Sequence, residues 1–205
     1  MASVSARAKL ARLARRLNAH CKGPLPALIL MTDDKRVPDP LAAARSLPKG
    51  AAVLLRHRNT CERARLGEAL LRLARQSDLL LLIAGDPALA SRLGADGVHF
   101  PESQLASIAP CRTRHPGWIL TAAAHSEHAL LRASRCGADA ALLAPLFRTK
   151  SHPERREFGL TRFRLLAASA PIPVYALGGI TAANAGRLAG ASIAGIAAID
   201  GMLPD

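Results

Sequence analysis

The chain has 205 residues, half of them apolar and only 3% aromatic, with 28 Lys and Arg against 15 Asp and Glu for a formal net charge of +13. That length suits a single domain over 1–205, and no uninterrupted apolar run approaches the roughly 20 residues that cross a bilayer, which argues against a membrane role. Such a charge could attract nucleic acid, anionic membrane or phosphorylated metabolites and does not choose among them, but few stacking aromatics and no zinc-finger, RNP or leucine-zipper pattern leave a basic nucleic-acid binder as a remote alternative.

The first element is "SVSARAKLARLARRLNAH", where Leu10, Leu13 and Leu17 make a helical stripe among cations, with no acid before Asp33. Such a pattern also suits an organelle presequence or a membrane-surface helix. Its apolar stripe suffices for an extra basic helix within 1–22 that covers one end of the domain. Cys21, Cys61, Cys111 and Cys136 are spread singly, without a C-x-x-C pair, and read as free thiols in a reducing, cytoplasmic setting without a structural metal.

Eight short apolar runs follow, at 27–33, 51–58, 79–85, 97–100, 118–125, 140–146, 173–179 and 193–200. Segments of helical character such as "CERARLGEALLRLARQ", "SEHALLRASRCG" and "GLTRFRLLAASA" lie between them. Continuous apolar strands alternating with helices argue for a parallel sheet buried on both faces. Eight units predict an α/β fold, the (β/α)8 TIM barrel, with a doubly wound open sheet as the alternative. The chain is short for a barrel, whose lower limit is about 200 residues, so some helices should be brief or missing.

In such a barrel the site lies at the C-terminal strand ends, with phosphate held by the last two loops. Run seven ends in "ALGGITAANA", where Gly178 and Gly179 allow close backbone approach and Thr181 is placed to N-cap an alanine-rich helix. Run eight supplies the partner loop "AAIDGM", with Asp200 expected to turn away from phosphate. The other strand ends carry Asp33 to Arg36, Arg56 to Arg58, Asp86, His99, His125, and then Arg148, Lys150 and His152. Cations on several loops imply an anionic ligand, and the two imidazoles offer proton transfer near neutral pH.

Read together, the motifs resemble the thiamine phosphate synthase and thiazole tautomerase (TenI) family of (β/α)8 proteins. They are "MTD" (31–33), "LLRHR" (54–58), "GADGVHF" (94–100), "AAAHS" (122–126), "APLFRTKSH" (144–152) and "ALGGIT" (176–181), in the family's order and spacing. The resemblance implies thiamine biosynthesis: a pyrimidine methyl diphosphate loses diphosphate, with Mg2+ and cations stabilising the departing anion, and the thiazole phosphate nitrogen captures the carbocation. By motif, Arg56 and Arg58 would hold diphosphate, Thr149 and Ser151 the thiazole end, and Gly178 and Gly179 its phosphate. His152 stands where the family has a loop lysine, next to Lys150. Ala198 stands at its small polar residue of strand eight.

Other departures weaken the synthase pattern. Leu54 replaces the pyrimidine-binding glutamine, Arg58 the lysine of the second strand, and Ala123 a serine. The Mg2+ carboxylates fall on Gln104 and on Gly85, unless a one-residue shift brings in Asp86 as a metal ligand. His125 matches the acid and base of the metal-independent tautomerase branch. The sequence therefore leaves open a divergent synthase, a tautomerase using His125, and a noncatalytic phosphate-ligand binder. It also leaves room for a homodimer.

Overall fold

The computed structural model describes residues 6–19, 21, 23, 25–57, 60–149 and 156–199. Eight parallel strands close a barrel in chain order: β1 (Leu28–Met31), β2 (Ala52–Leu55), β3 (Leu80–Ala84), β4 (Gly97–Phe100), β5 (Ile119–Ala124), β6 (Ala140–Leu143), β7 (Val174–Leu177) and β8 (Gly195–Ala198). The seam is made by β1, which pairs with both β2 and β8. Each strand falls inside one predicted apolar run.

The runs lack polar alternation because both faces of the sheet are buried. Ile29, Leu54, Leu82, Leu142 and Tyr175 fill the barrel interior. Their neighbours Leu30, Val53, Leu55, Leu81, Leu143 and Val174 point outward into the layer beneath the helices. Burial of each leucine side chain contributes roughly 1.5–3 kcal/mol.

The helices are α1 (Ala6–Asn18), α2 (Pro40–Arg45), α3 (Thr60–Gln76), α4 (Pro87–Leu93), α5 (Ile108–Arg114), α6 (Glu127–Arg135) and α7 (Gly159–Ser169), with 3-10 turns at Glu102–Ser107 and Ala185–Leu188. The basic N-terminal helix exists and packs along β1 and β8. Leu10, Ala14 and Leu17 are buried there, and Asn18 Nδ2 donates to the Ala194 carbonyl at 2.5 Å. The apolar outer side chains of the seam strands, Leu28, Leu30 and Ile196, give that stripe its partner.

Thr181 does not start an α-helix. Asn184 Oδ1 accepts from the Thr181 amide at 2.9 Å, and Asn184 Nδ2 donates to the Gly179 carbonyl at 2.8 Å. This side chain closes a turn that competes with helical hydrogen bonding, and Gly186 raises the entropic cost of a helix. Only the short 3-10 turn at Ala185–Leu188 follows.

Candidate functional site

Parallel closure places every C-terminal strand end on one rim, and the loops after β1, β2, β3, β5 and β7 meet there. After β7, Gly178 and Gly179 both have left-handed backbones, with φ of 102° and 64°. A Cβ on Gly178 would stand 2.9 Å from Pro145 Cα, so this loop is pressed onto the loop after β6. The carbonyls here are engaged: Leu146 N donates to Leu177 O at 2.9 Å and Phe147 N to Gly178 O at 3.1 Å. The amides of Gly178, Gly179 and Ile180 find no acceptor among the described residues. Three successive free amides at a barrel rim suit an anion. Thr149 lies half-buried in the adjacent loop after β6.

Between β1 and β2 the chain builds an ionic corner. Arg56 Nη2 pairs with Asp33 Oδ2, while Asp33 Oδ1 accepts from the Lys35 and Arg36 amides at 3.1 Å. Burial alone would raise the Asp33 carboxyl; the Lys35 amide, the Arg36 hydrogen bonds and the Arg36 charge together hold it below its ordinary value. Buried Thr32 ties the two strands together: its Oγ1 accepts from the Arg56 amide at 3.0 Å and lies 2.9 Å from His57 Nδ1. Arg56 Nε is buried without a partner among the described residues.

At β3, Arg63 reaches from α3 to the Ala84 carbonyl. Burial lowers its pKa, opposed by the charges of Asp86 and Asp34, and its Nε is also buried without a partner among the described residues. Asp86 Oδ1 accepts from the Leu89 amide at 2.8 Å and so N-caps α4. A Cβ on Gly85 would lie 3.3 Å from Gln104 Oε1. The two positions at which the resemblance puts metal carboxylates are therefore a glycine and a neutral amide in contact. The described residues hold no group of three or more His, Cys, Asp or Glu able to bind a metal. Mg2+ wants carboxylate oxygens, and of the positions to which the resemblance points only Asp86 supplies them, with Oδ1 already accepting from the Leu89 amide.

Inside the barrel, His99 Nδ1 lies 3.0 Å from Thr121 Oγ1. Burial, with the charges of Arg56 and His125, pushes His99 down to about 4. His125, exposed directly after β5, has Nδ1 2.8 Å from the Ala144 carbonyl. A carbonyl only accepts, so Nδ1 carries the proton and Nε2 keeps its lone pair. Leu54 is fully buried in the interior beside Met31 and Leu82, and half-buried Ala123 lies on β5. Ala198 belongs to the outer layer; Ala197 is the strand-eight residue of the interior. Arg58, Lys150, Ser151, His152 and Asp200 lie outside the described residues.

Two contributors are absent from the sequence reading. Arg63 looked like any helical arginine, its only signal being a place in the first turn after β2. Asn184 was hidden in an alanine-rich stretch. No helix among the described residues is long and apolar enough to cross a membrane.

Residues 28–202 match the family model described as thiamine monophosphate synthase. A thiamine-phosphate synthase of Chlorobium luteolum is 36% identical over 178 residues, covering 85% of this chain and 84% of that protein. One of Pyrococcus furiosus is 31% identical over 180 residues, covering 86% of each. The solved structure of a thiamine phosphate pyrophosphorylase from Pyrococcus furiosus superposes with a TM-score of 0.72 at 27% identity, covering 86% of each chain.

Proposed function

Because the chain belongs to the thiamine monophosphate synthase family, we propose that it binds a phosphorylated thiazole at the barrel rim and condenses it with a pyrimidine methyl diphosphate. The observation that carries this reading is the run of amides at Gly178, Gly179 and Ile180 without an acceptor among the described residues, on the rim that also holds Arg56 and His125. In this reading the amide run takes the thiazole phosphate, with Thr149 and Ser151 beside the ring. Arg56 and Arg58 hold the diphosphate, helped by Lys150 and His152 from the loop after β6. Arg56 is held in place by Asp33 and by its own amide on Thr32, so little ordering remains to be done when the anion arrives. Leu54 offers the pyrimidine an apolar wall and no hydrogen bond. Ala198 packs in the outer layer at the end of β8.

The test is formation of thiamine phosphate from the two substrates, with loss in Arg56→Ala. Activity that survives Arg56→Ala would remove the diphosphate assignment, and failure to bind thiazole phosphate would remove the reading altogether.

One observation favours a second reading. The Ala144 carbonyl leaves His125 Nε2 as a proton acceptor, whereas capture of a carbocation by the thiazole nitrogen releases no proton. A base there suits isomerisation of a thiazole carboxylate phosphate without metal.

A further inference from the structure

Buried polar groups in folded proteins are nearly always paired, and each exception asks for an explanation. Here two guanidinium nitrogens, Arg56 Nε and Arg63 Nε, are buried with no partner among the described residues. Both sit on one side of the rim. Arg56 follows β2, and Arg63 ends at the Ala84 carbonyl of β3, the strand that pairs with β2 in register from Ala52 and Leu80 onward. Three carboxylates border this corner and each has a partner: Asp33 pairs with Arg56 and Arg36, Asp34 Oδ1 lies 3.6 Å from His57 Nε2, and Asp86 Oδ1 accepts from the α4 amide. Gly85 and the Gln104 amide lie against one another in the same corner.

A metal-assisted diphosphate site needs acids to hold the metal and cations only as helpers. Here the acids lie against cations, and the described residues hold no group of three or more His, Cys, Asp or Glu that could take a metal. Bringing a divalent cation between the two arginines would add repulsion without ligands to offset it. A guanidinium needs no such ligands: it stays charged near neutral pH, offers planar donors suited to phosphate oxygens, and gains strength where water is partly excluded.

We propose that this chain binds the diphosphate part of its substrate without a metal, with Arg63 as the resident cation that meets the anion alongside Arg56. The inference rests on reading the rim as a phosphate-ester site, and it assigns Arg63 a ligand contact. Arg63 Nη2 donates to the Ala84 carbonyl at the end of β3, while its buried Nε has no partner among the described residues.

The test is calorimetric titration of the full chain with inorganic pyrophosphate, once in excess EDTA and once in excess MgCl2. Equal affinity in both is expected, with binding roughly 10- to 100-fold weaker in Arg63→Met, the usual loss for a charge-assisted hydrogen bond. Thermal melting reports whether that variant is folded. If it is not, Arg63→Lys replaces it, whose single ammonium loses the fork and is expected to bind more weakly than wild type. Binding that requires Mg2+, or wild-type affinity in the folded Arg63 variant, overturns the proposal. A parallel titration with thiazole phosphate separates the two readings. Thiazole phosphate binding with no pyrophosphate binding in EDTA overturns the metal-free subsite alone, and absence of both overturns the proposed function with it.

Discussion

Gly179 lies so close to the loop after β6 that a Cβ on it would stand 2.5 Å from the Arg148 carbonyl oxygen. The second glycine of the pair is thus demanded twice, by its left-handed φ of 64° and by a backbone contact that cannot yield as a flexible side chain would. Gly179→Ala is expected to cost about 1–2 kcal/mol for the backbone conformation alone, plus the displacement of the loop that carries Thr149. Calorimetry should show thiazole phosphate binding lost together with a lower Tm. Gly186→Ala is the control: it meets open space and has no strained φ, so it should leave binding intact. Equal behaviour of the two variants would remove the diglycine from the site.

His99 makes stability fall on the acid side of neutrality. Its folded pKa of about 4 lies below the unfolded 6.5, so between these values the unfolded chain binds a proton that the folded chain refuses. Stability is full above pH 6.5 and declines as pH falls towards 4, by on the order of 3 kcal/mol at about 1.4 kcal/mol per pKa unit. Thermal melts across this window should show a steeper fall in wild type than in His99→Gln, which does not titrate. Parallel curves for the two proteins would mean that His99 is not held neutral by burial beside Arg56 and His125.

The contrast between Gly179 and Arg63 shows what a reader of the sequence can and cannot reach. Strands buried on both faces leave an unmistakable trace, continuous apolar runs such as 79–85, and each of the eight runs holds one strand of the closed barrel. A glycine pair after such a run likewise announces a tight turn. Arg63 announces nothing, because one arginine among several on α3 differs only in where its head group lands, and that depends on the barrel's curvature. The helix expected from Thr181 failed for a related reason. Its fate turned on Asn184, whose side-chain bonds to Gly179 and Thr181 outcompete the helical ladder. At the end of β8 the period of two puts Ala197 in the interior and its neighbour Ala198 in the outer layer, a division that a run of alanines does not announce.

At the opposite end of the barrel, the fully buried Tyr175 donates from its hydroxyl to the Pro26 carbonyl at 2.6 Å. Burial, with Cys21 nearby, pushes the phenol above its ordinary pKa, so it remains a donor at any physiological pH. Tyr175→Phe leaves the carbonyl of Pro26 without this donor and should cost about 1–3 kcal/mol. Because the change lies far from the rim, Tm is expected to drop while thiazole phosphate affinity holds. A matching loss of affinity would show that the barrel floor and the rim are energetically coupled.

His125 offers the sharpest division between the two chemistries open to this site. Its Nδ1 proton is tied to Ala144 O, and the ring nitrogen left over is a base. Condensation at the thiazole nitrogen needs no base, because the nucleophile carries no proton to lose; isomerisation of a thiazole carboxylate phosphate needs one to move a proton. His125→Asn can keep a side-chain donor towards Ala144 O while removing the base, so the loop after β5 should stay in place. Thiamine phosphate formation is then expected to persist, whereas an isomerase activity should fall by roughly 10²–10⁴-fold, the usual contribution of a positioned base. Assaying both reactions on the same preparation, over a pH series, decides the matter. Loss of condensation in His125→Asn would give the imidazole a part in handling the anion, and an undiminished isomerisation would leave the site without its base.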